Sequence, residues 1–179
     1  MLIIFALCVV TFTMCSPEPK PEPKPACEAD NLLLKKSAFP NNWQETGLRD
    51  VGDAPARLGI EKAGTSFSTT RQGGAVQHFY RFASESEARK GYEDLRVSWF
   101  NLAPKGSVYS LPEELSEIKL GADEYRLGCS VGMIETCRFV GLYQTYVVEF
   151  SVDMPALTYD YLIDLLEQID QSMLRCIGN

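Results

Sequence analysis

Residues 123–153 constrain the fold more than any other stretch, because three strand-like runs and two of the six cysteines fall within them. The run TYVVEFSV at 145–152 is rich in the β-branched and aromatic residues that favour strands. Its alternation predicts one buried apolar face and one mostly polar face. Two further runs lie at 123–129 and 138–142, and the next two residues, Tyr143-Gln144, are short enough for a tight hairpin. The stretch therefore predicts a three-stranded antiparallel meander against which the rest of the domain packs.

Cys129 and Cys137 fall at the mouth of the first hairpin of this meander. Neighbouring antiparallel strands supply the Cα separation of about 4.4–6.8 Å that a disulfide requires. A metal site is the alternative, but the chain offers a single histidine, His78, and no Cys-x-x-Cys pair to complete a ligand set. We therefore expect a disulfide here, and neither a metal nor another cofactor.

The N-terminus carries an uncharged, largely apolar run at residues 2–14 that ends at Cys15. A run of this length matches the core of a signal peptide and is too short for a transmembrane helix, which needs about 20 residues. The pattern predicts that residues 1–14 are a signal peptide.

An apolar run, a cysteine and a polar linker together resemble the signal of a bacterial lipoprotein. In that family the signal peptidase cuts before the cysteine, which carries a diacylglyceryl group. The resemblance implies lipidation at Cys15 and a membrane as partner through the lipid anchor. Met14 beside the cut and the absence of Lys or Arg near Met1 depart from the family pattern. An ordinary cleaved signal and an uncleaved anchor therefore remain alternatives.

The four cysteines beyond Cys15 form an even set, which in a secreted chain indicates two disulfides in an oxidising compartment. Cys8 would be removed with the signal. Three pairings are possible, and we favour Cys129–Cys137 because these residues are close in sequence. The remaining pair, Cys27–Cys176, would join the start of the domain to its end.

Residues 16–26 alternate proline with glutamate or lysine, which is typical of a polyproline II spacer. Such a segment reaches roughly 34 Å at about 3.1 Å per residue. A recognition motif for a proline-binding partner is the alternative to a stiff tether. The boundaries that follow are a tether at residues 15–26 and a single domain at residues 27–179.

Charge and motifs exclude several classes of function. The formal net charge is −7 and Lys and Arg do not cluster, which argues against nucleic-acid binding. No Gly-x-Ser-x-Gly elbow, His-Glu-x-x-His helix or glycine-rich phosphate loop is present, so we assign no catalytic residue and expect no enzyme. His78 is expected to be a strand histidine with a satisfied hydrogen bond; the alternative is a functional group that titrates near neutral pH.

Periodicity across the remaining chain predicts an α+β domain: an antiparallel sheet of five or six strands with two or three helices packed on one face. Residues 44–64 are read as mostly irregular. The acidic side of the last helix is expected to be a solvated face, or else to meet a cation or a basic partner. The predicted elements are a short helix at 28–37, a hairpin of strands at 65–71 and 75–82, a helix capped by Ser84 and Glu87 that runs to about 100, a strand at 107–111, the meander, and a helix from 159 to about 174.

The layout also resembles known families. Its recognisable parts are FPNNW at 39–43, a hairpin, a helix ending in Trp99-Phe100, LGADEY at 120–125, CRFVGLYQTYVVEF at 137–150 and a closing helix. It looks like small extracytoplasmic domains of uncharacterised bacterial lipoproteins and is similar to the sensor domains outside certain bacterial Ser/Thr kinases. The resemblance implies a membrane-tethered, non-catalytic binding or sensing module for an unknown protein or small-molecule ligand. A structural envelope or assembly protein is the alternative. An exposed apolar groove would favour binding, and a long flat edge strand would favour assembly.

Overall fold

One seven-stranded antiparallel sheet organises the domain, with the strand order β1-β2-β3-β7-β6-β5-β4. The structure is a computed structural model that describes residues 27–47, 59–70, 73–100, 108–130, 132 and 134–178. The strands are β1 (Trp43–Gly47), β2 (Glu61–Thr69), β3 (Gly74–Arg81), β4 (Tyr109–Ser110), β5 (Glu124–Ser130), β6 (Thr136–Tyr143) and β7 (Tyr146–Asp153). The helices are α1 (Ala29–Leu32), α2 (Glu85–Phe100) and α3 (Tyr159–Ile177), and short 3₁₀ segments occur at Lys36–Ala38, Glu113–Leu115 and Met154–Ala156.

The prediction of five or six strands with helices on one face is wrong, although the domain is α+β. The strand that the sequence analysis missed is β1, in the stretch read as irregular. Trp43 is its one buried residue, and the four that follow are exposed. An edge strand with a single buried side chain lacks the alternation from which strands are predicted. This strand pairs with β2 and brings the sheet to seven strands.

Helices cover both faces of the sheet, because successive residues of the central strands enter two separate cores. Phe79 and Phe139 belong to the core beneath α3, whereas the next residues, Tyr80 and Val140, belong to the core beneath α2. The first core includes the apolar stripe of α3, which consists of Leu162, Leu165, Leu166, Ile169 and Met173. The second core is smaller and includes Ala88, Tyr92 and Leu95 from α2.

Strand β7 lies at the centre of the sheet between β3 and β6. We predicted that one of its faces would be buried and the other mostly polar and open. Instead Val147 and Glu149, on the second face, are only 0 % and 3 % exposed. The α2 core covers Val147, and Glu149 lies between the paired strands β3 and β6, so the second face of β7 is buried as far as Glu149, while Ser151 and Asp153 beyond it are half-buried.

The predicted helix N-termini are present. Ser84 Oγ accepts a hydrogen bond from the Glu87 backbone N–H at 3.3 Å, and Thr158 Oγ1 accepts one from Tyr161 at 3.3 Å. These side chains satisfy backbone donors that the first turn leaves free. The helix predicted at 28–37 is shorter, however: it spans Ala29–Leu32, because the backbone becomes extended at Leu33.

The meander turns one residue later than predicted, at Gln144-Thr145, and connects β6 to β7. Gln144 has a φ of 52°, in the left-handed region that glycine adopts most easily. Its backbone N–H donates to the Asp123 carboxylate at 2.6 Å. This contact holds the turn against the residue that precedes β5.

Four cysteines form two disulfides. Cys129 and Cys137 are direct partners on β5 and β6, with Cα atoms 4.0 Å apart. Cys27 and Cys176 join the start of the described chain to the end of α3, with Cα atoms 5.7 Å apart. Glu135 lies near the first pair, but both sulfurs there are bonded to each other and are not free to bind a metal ion.

The N-terminal predictions fall outside the described residues. These are the signal peptide at 1–14, the tether at 15–26 and the lipidation of Cys15. None of the helices in the described ranges combines the length and the apolar character needed to cross a bilayer.

Candidate functional site: a polar trough on the sheet

The half of the second sheet face that the α2 core does not cover carries an open cavity of about 660 Å³. We call it the trough. It crosses β1, β2, β3, β7 and β6, and four strand spacings of about 4.8 Å make it roughly 19 Å long. Its floor consists of Thr46, Ser66, Ser68, Gly74, Val76, Thr136, Arg138, Ser151 and Asp153.

The floor is built from two cross-strand rows in register. One row runs through Ser66, Val76, Ser151 and Arg138, each directly opposite the next. The other runs through Ser68, Gly74, Asp153 and Thr136, in which the Gly74 backbone N–H donates to Asp153 Oδ2 at 2.9 Å. Because side chains alternate along a strand, these residues project from the face opposite the α3 core.

Hydrogen bonds fix the two ends of the floor. At the β1 end, Thr46 Oγ1 lies 2.8 Å from Ser66 Oγ, which also donates to the Gly47 carbonyl at 2.8 Å. At the β6 end, Thr136 Oγ1 donates to Asp153 Oδ1 at 3.0 Å. These groups are therefore held in place before any ligand arrives.

Two hydroxyls in the middle of the floor, those of Ser68 and Ser151, make no side-chain hydrogen bond to the described part of the chain, and both residues are half-buried. A serine hydroxyl can donate one hydrogen bond and accept two. The centre of the trough therefore offers hydrogen-bonding capacity that the described residues do not use.

Arg138 closes the β6 end of the trough. Its Nη1 donates to the Trp99 carbonyl at 3.0 Å, and its guanidinium carbon lies 4.9 Å from the Trp99 ring centre and 5.1 Å from that of Tyr109. Such cation–π contacts hold a guanidinium firmly. Its Nε is buried without a partner among the described residues, so the cation is not fully satisfied by the domain.

A third row, beside the trough, contains a buried carboxylate shared by two side chains. Glu149 is 3 % exposed; its Oε1 contacts His78 Nδ1 and accepts a hydrogen bond from the Tyr80 hydroxyl at 2.9 Å. Burial raises the pKa of Tyr80 above its ordinary range, and the negative charge of Glu149 raises it further, so the phenol remains a neutral donor. Within the described chain, His78 Nε2 and Glu149 Oε2 are buried and lack partners.

Gly64 makes room for this cluster. It is the β2 partner of His78, and a Cβ atom there would lie 2.6 Å from His78 Cδ2. The imidazole therefore occupies the space over a position that has no side chain.

The hydrogen bond expected of His78 is present, and its partner, Glu149, lies 71 residues away. That distance explains why sequence spacing did not reveal it.

The cysteines lie elsewhere, since Cys129 and Cys137 belong to the core beneath α3. The trough residues Arg138 and Ser151 were not singled out either. Their one sequence signal is alternation, which placed Ser151 on the polar side of the last meander strand.

The acidic side of α3 is not fully solvated as predicted, because Asp170 is 8 % exposed. Its Oδ1 accepts hydrogen bonds from the Tyr143 hydroxyl at 2.9 Å and from the Gly121 backbone N–H at 2.8 Å. Burial raises the pKa of Tyr143, with a further contribution from the charge of Asp170. This carboxylate joins α3 to the sheet and is a structural group.

No protein-family model matches this chain, and no curated protein matches it. Among solved structures, the chain is similar to the extracellular domain of PknH from Mycobacterium tuberculosis, with 14 % sequence identity and a TM-score of 0.53. The match covers 84 % of this chain and 98 % of that one. At this identity the similarity establishes a shared fold.

Proposed function

We propose that this chain is a membrane-tethered extracytoplasmic lipoprotein whose domain acts as a non-catalytic binding or sensing module. The observation that carries the binding role is the trough. It is a cavity of about 660 Å³ with prearranged polar groups, two free hydroxyls and no helix over it in the described chain. Ligand sites commonly have volumes of about 300–1,000 Å³.

Three independent features support the extracytoplasmic location. Residues 1–15 have the pattern of a lipoprotein signal. The domain contains two disulfides, and disulfides persist in oxidising compartments. Its fold is shared with a domain described as extracellular.

The environment of His78 supports the non-catalytic assignment. Its Nε2 is buried, and its Nδ1 is engaged by Glu149. A general base must reach the proton that it removes, and neither nitrogen of this imidazole is accessible to a substrate, since Nε2 is buried and Nδ1 contacts Glu149. The cluster therefore acts as a structural wall beside the trough.

The edges of the sheet give little support to the alternative role in envelope assembly. The edge strands are β1, with five residues and a bulge, and β4, with two residues. Short or irregular edges are poor templates for pairing with another chain. The open surface of the trough is polar, unlike the apolar groove expected of a binding site in the sequence analysis, so the ligand is expected to be polar as well.

The location is tested by the intact mass of the protein extracted from membranes, before and after reduction. We expect a chain that begins at Cys15 with added acyl mass and that gains about four hydrogens when its two disulfides are reduced. A Cys15→Ala variant serves as control and should lose the acyl mass and leave the membrane fraction. An unprocessed chain with free thiols would refute the proposed location.

The binding role is tested without knowledge of the ligand. A small-molecule fraction from the cell envelope should raise the Tm of the native chain, because a ligand that binds the folded state stabilises it. Ser68→Trp should fill the trough and abolish the rise, whereas Ser110→Trp, at an exposed position on β4, should retain it. Equal rises in both variants would place binding outside the trough.

A further inference from the structure

We propose that the trough binds a neutral, linear oligosaccharide that lies across the strands, an inference that rests on the binding role proposed above. Three properties of the trough lead to this class of ligand. They are the chemistry of its floor, the balance of its charges and its shape.

The floor is lined mainly by hydroxyl side chains, from Thr46, Ser66, Ser68, Thr136 and Ser151, of which Ser66 is buried and bonded to Thr46 and Gly47. A hydroxyl both donates and accepts hydrogen bonds, so it is matched best by a ligand whose own groups do both. Sugar hydroxyls have this property throughout the molecule. Ser68 and Ser151, whose hydroxyls have no partner among the described residues, lie in neighbouring rows and can bind such groups without the loss of a hydrogen bond in that part of the fold.

The charges at the β6 end disfavour an ionic ligand. Arg138 faces Ser151, which neighbours Asp153 on the same face of β7, so the floor carries one guanidinium and one carboxylate; Glu149, at 3 % exposure, does not line it. A free anion would meet Asp153 in a chain of net charge −7. A cation would meet Arg138. Asp153 is already engaged by Gly74 and Thr136 and is best placed to accept a further bond from a neutral hydroxyl.

The shape of the trough fits a chain of sugar rings. It crosses five strands at right angles to their direction, with a spacing of about 4.8 Å between neighbours. The repeat of an extended pyranose chain is close to this spacing, so successive strands can each meet a successive ring. An extended peptide instead pairs through its backbone at a sheet edge, and the face of the sheet offers no free backbone ladder.

The test is isothermal titration calorimetry on the full chain with intact disulfides, in a detergent without a sugar headgroup. The probes are the neutral chains cellotetraose and tetra-N-acetylchitotetraose, each compared with its disaccharide. We expect at least one tetrasaccharide to bind, and to bind about tenfold more tightly than its disaccharide, because the longer chain reaches more strands. The affinity for the tetrasaccharide should not change with salt concentration, because ions do not screen hydrogen bonds to an uncharged ligand.

Ser68→Ala and Ser151→Ala should each weaken tetrasaccharide binding about three- to tenfold, the usual effect of one lost hydrogen bond. Neither hydroxyl has a partner within the described chain, so both variants should fold with an unchanged Tm. Ser110→Ala is the matched control. It removes a strand hydroxyl beside Tyr109, on the sheet face opposite Arg138, and should bind like the native chain.

The inference is overturned by absence of binding to both tetrasaccharides, by equal affinity in Ser68→Ala, Ser151→Ala and the native chain, or by binding that weakens with salt. It is also overturned if the trough variants change the sedimentation of the chain, which would identify a second copy as the occupant. If the tetrasaccharides fail while the envelope fraction still raises the Tm and Ser68→Trp abolishes the rise, the binding role stands and the ligand class is wrong.

Discussion

His78 and Glu149 face each other directly across β3 and β7, although 71 residues separate them in the sequence. Because Tyr80 donates to the same carboxylate oxygen, one buried acid satisfies two side chains of β3. A buried carboxylate is tolerated when its partners compensate for lost hydration. This pair therefore fixes the register of the two central strands beside the trough.

Removal of the shared carboxylate should destabilise the domain strongly. We expect Glu149→Ala to lower the free energy of unfolding by about 3 kcal/mol, because it leaves a cavity and the Tyr80 hydroxyl without its acceptor. Tyr80→Phe should cost about 1 kcal/mol, since Glu149 keeps His78 as a partner. Urea denaturation measures both values. Glu117→Ala, at an exposed position, is the control, and an equally small effect of Glu149→Ala would contradict the role assigned to the cluster.

High pH should destabilise the fold through three tyrosines whose pKa values are raised in the folded state. Burial and neighbouring carboxylates raise the pKa of Tyr80 and of Tyr143, and a hydrogen bond to Glu135 is the main cause that raises the pKa of Tyr159 to about 12. A group with a raised folded-state pKa contributes stability that is complete below its unfolded pKa, about 10 for tyrosine, and is lost as pH rises above it.

The measurement is the absorbance of phenolate at 295 nm together with urea denaturation at increasing pH. We expect fewer tyrosines to ionise at pH 11 in the native protein than in urea, and stability to decline above pH 10. Tyr143→Phe should reduce the steepness of this decline. A native titration curve that matches the urea curve would show that these phenols are not protected.

The two disulfides should contribute unequally. They close loops with sequence separations of 149 and 8 residues. The chain-entropy model assigns about 5 kcal/mol to the long loop and about 2.5 kcal/mol to the short one, and measured gains are often smaller. Replacing Cys27 and Cys176 by serine should therefore lower the urea midpoint more than replacing Cys129 and Cys137. The reverse order would indicate that the cross-strand bridge acts through native packing instead.

The sequence predicted the meander and α3 well, because alternation and a continuous apolar stripe are local signals. It failed at β1, where Trp43 alone is buried. It also failed at α2, because the helix was predicted but was placed on the same face of the sheet as the other helices. The trough was not predicted from the sequence for a related reason. Its rows depend on which strands become neighbours, and the pairing of β3 with β7 joins segments about 70 residues apart. Local periodicity carries no information on such pairings.

The turn at Gln144 offers a stabilising substitution. Its φ of 52° costs a residue with a side chain about 1–2 kcal/mol, which glycine avoids at some expense in chain entropy. We expect Gln144→Gly to raise the free energy of unfolding by about 0.5–1 kcal/mol and Gln144→Asn to raise it by less. Gln144→Val should destabilise, because β-branched residues tolerate this conformation poorly. Thermal denaturation of the three variants gives the order, and a loss of Tm in Gln144→Gly would rule out relief of backbone strain.

Substitution of Gly64 tests most directly how the His78 side chain is positioned. A Cβ atom at Gly64 would lie 2.6 Å from His78 Cδ2 and 3.3 Å from the Gln77 carbonyl. Gly64→Ala should therefore displace the imidazole from Glu149 and lower the free energy of unfolding by about 1–3 kcal/mol, a range typical of overpacking. The double variant Gly64→Ala/His78→Ala removes the clash. If the two positions interact as described, the double variant should be more stable than the sum of the single effects predicts, by about 1 kcal/mol in a double-mutant cycle. Additive effects would mean that the backbone at Gly64, and not the seating of His78, requires glycine.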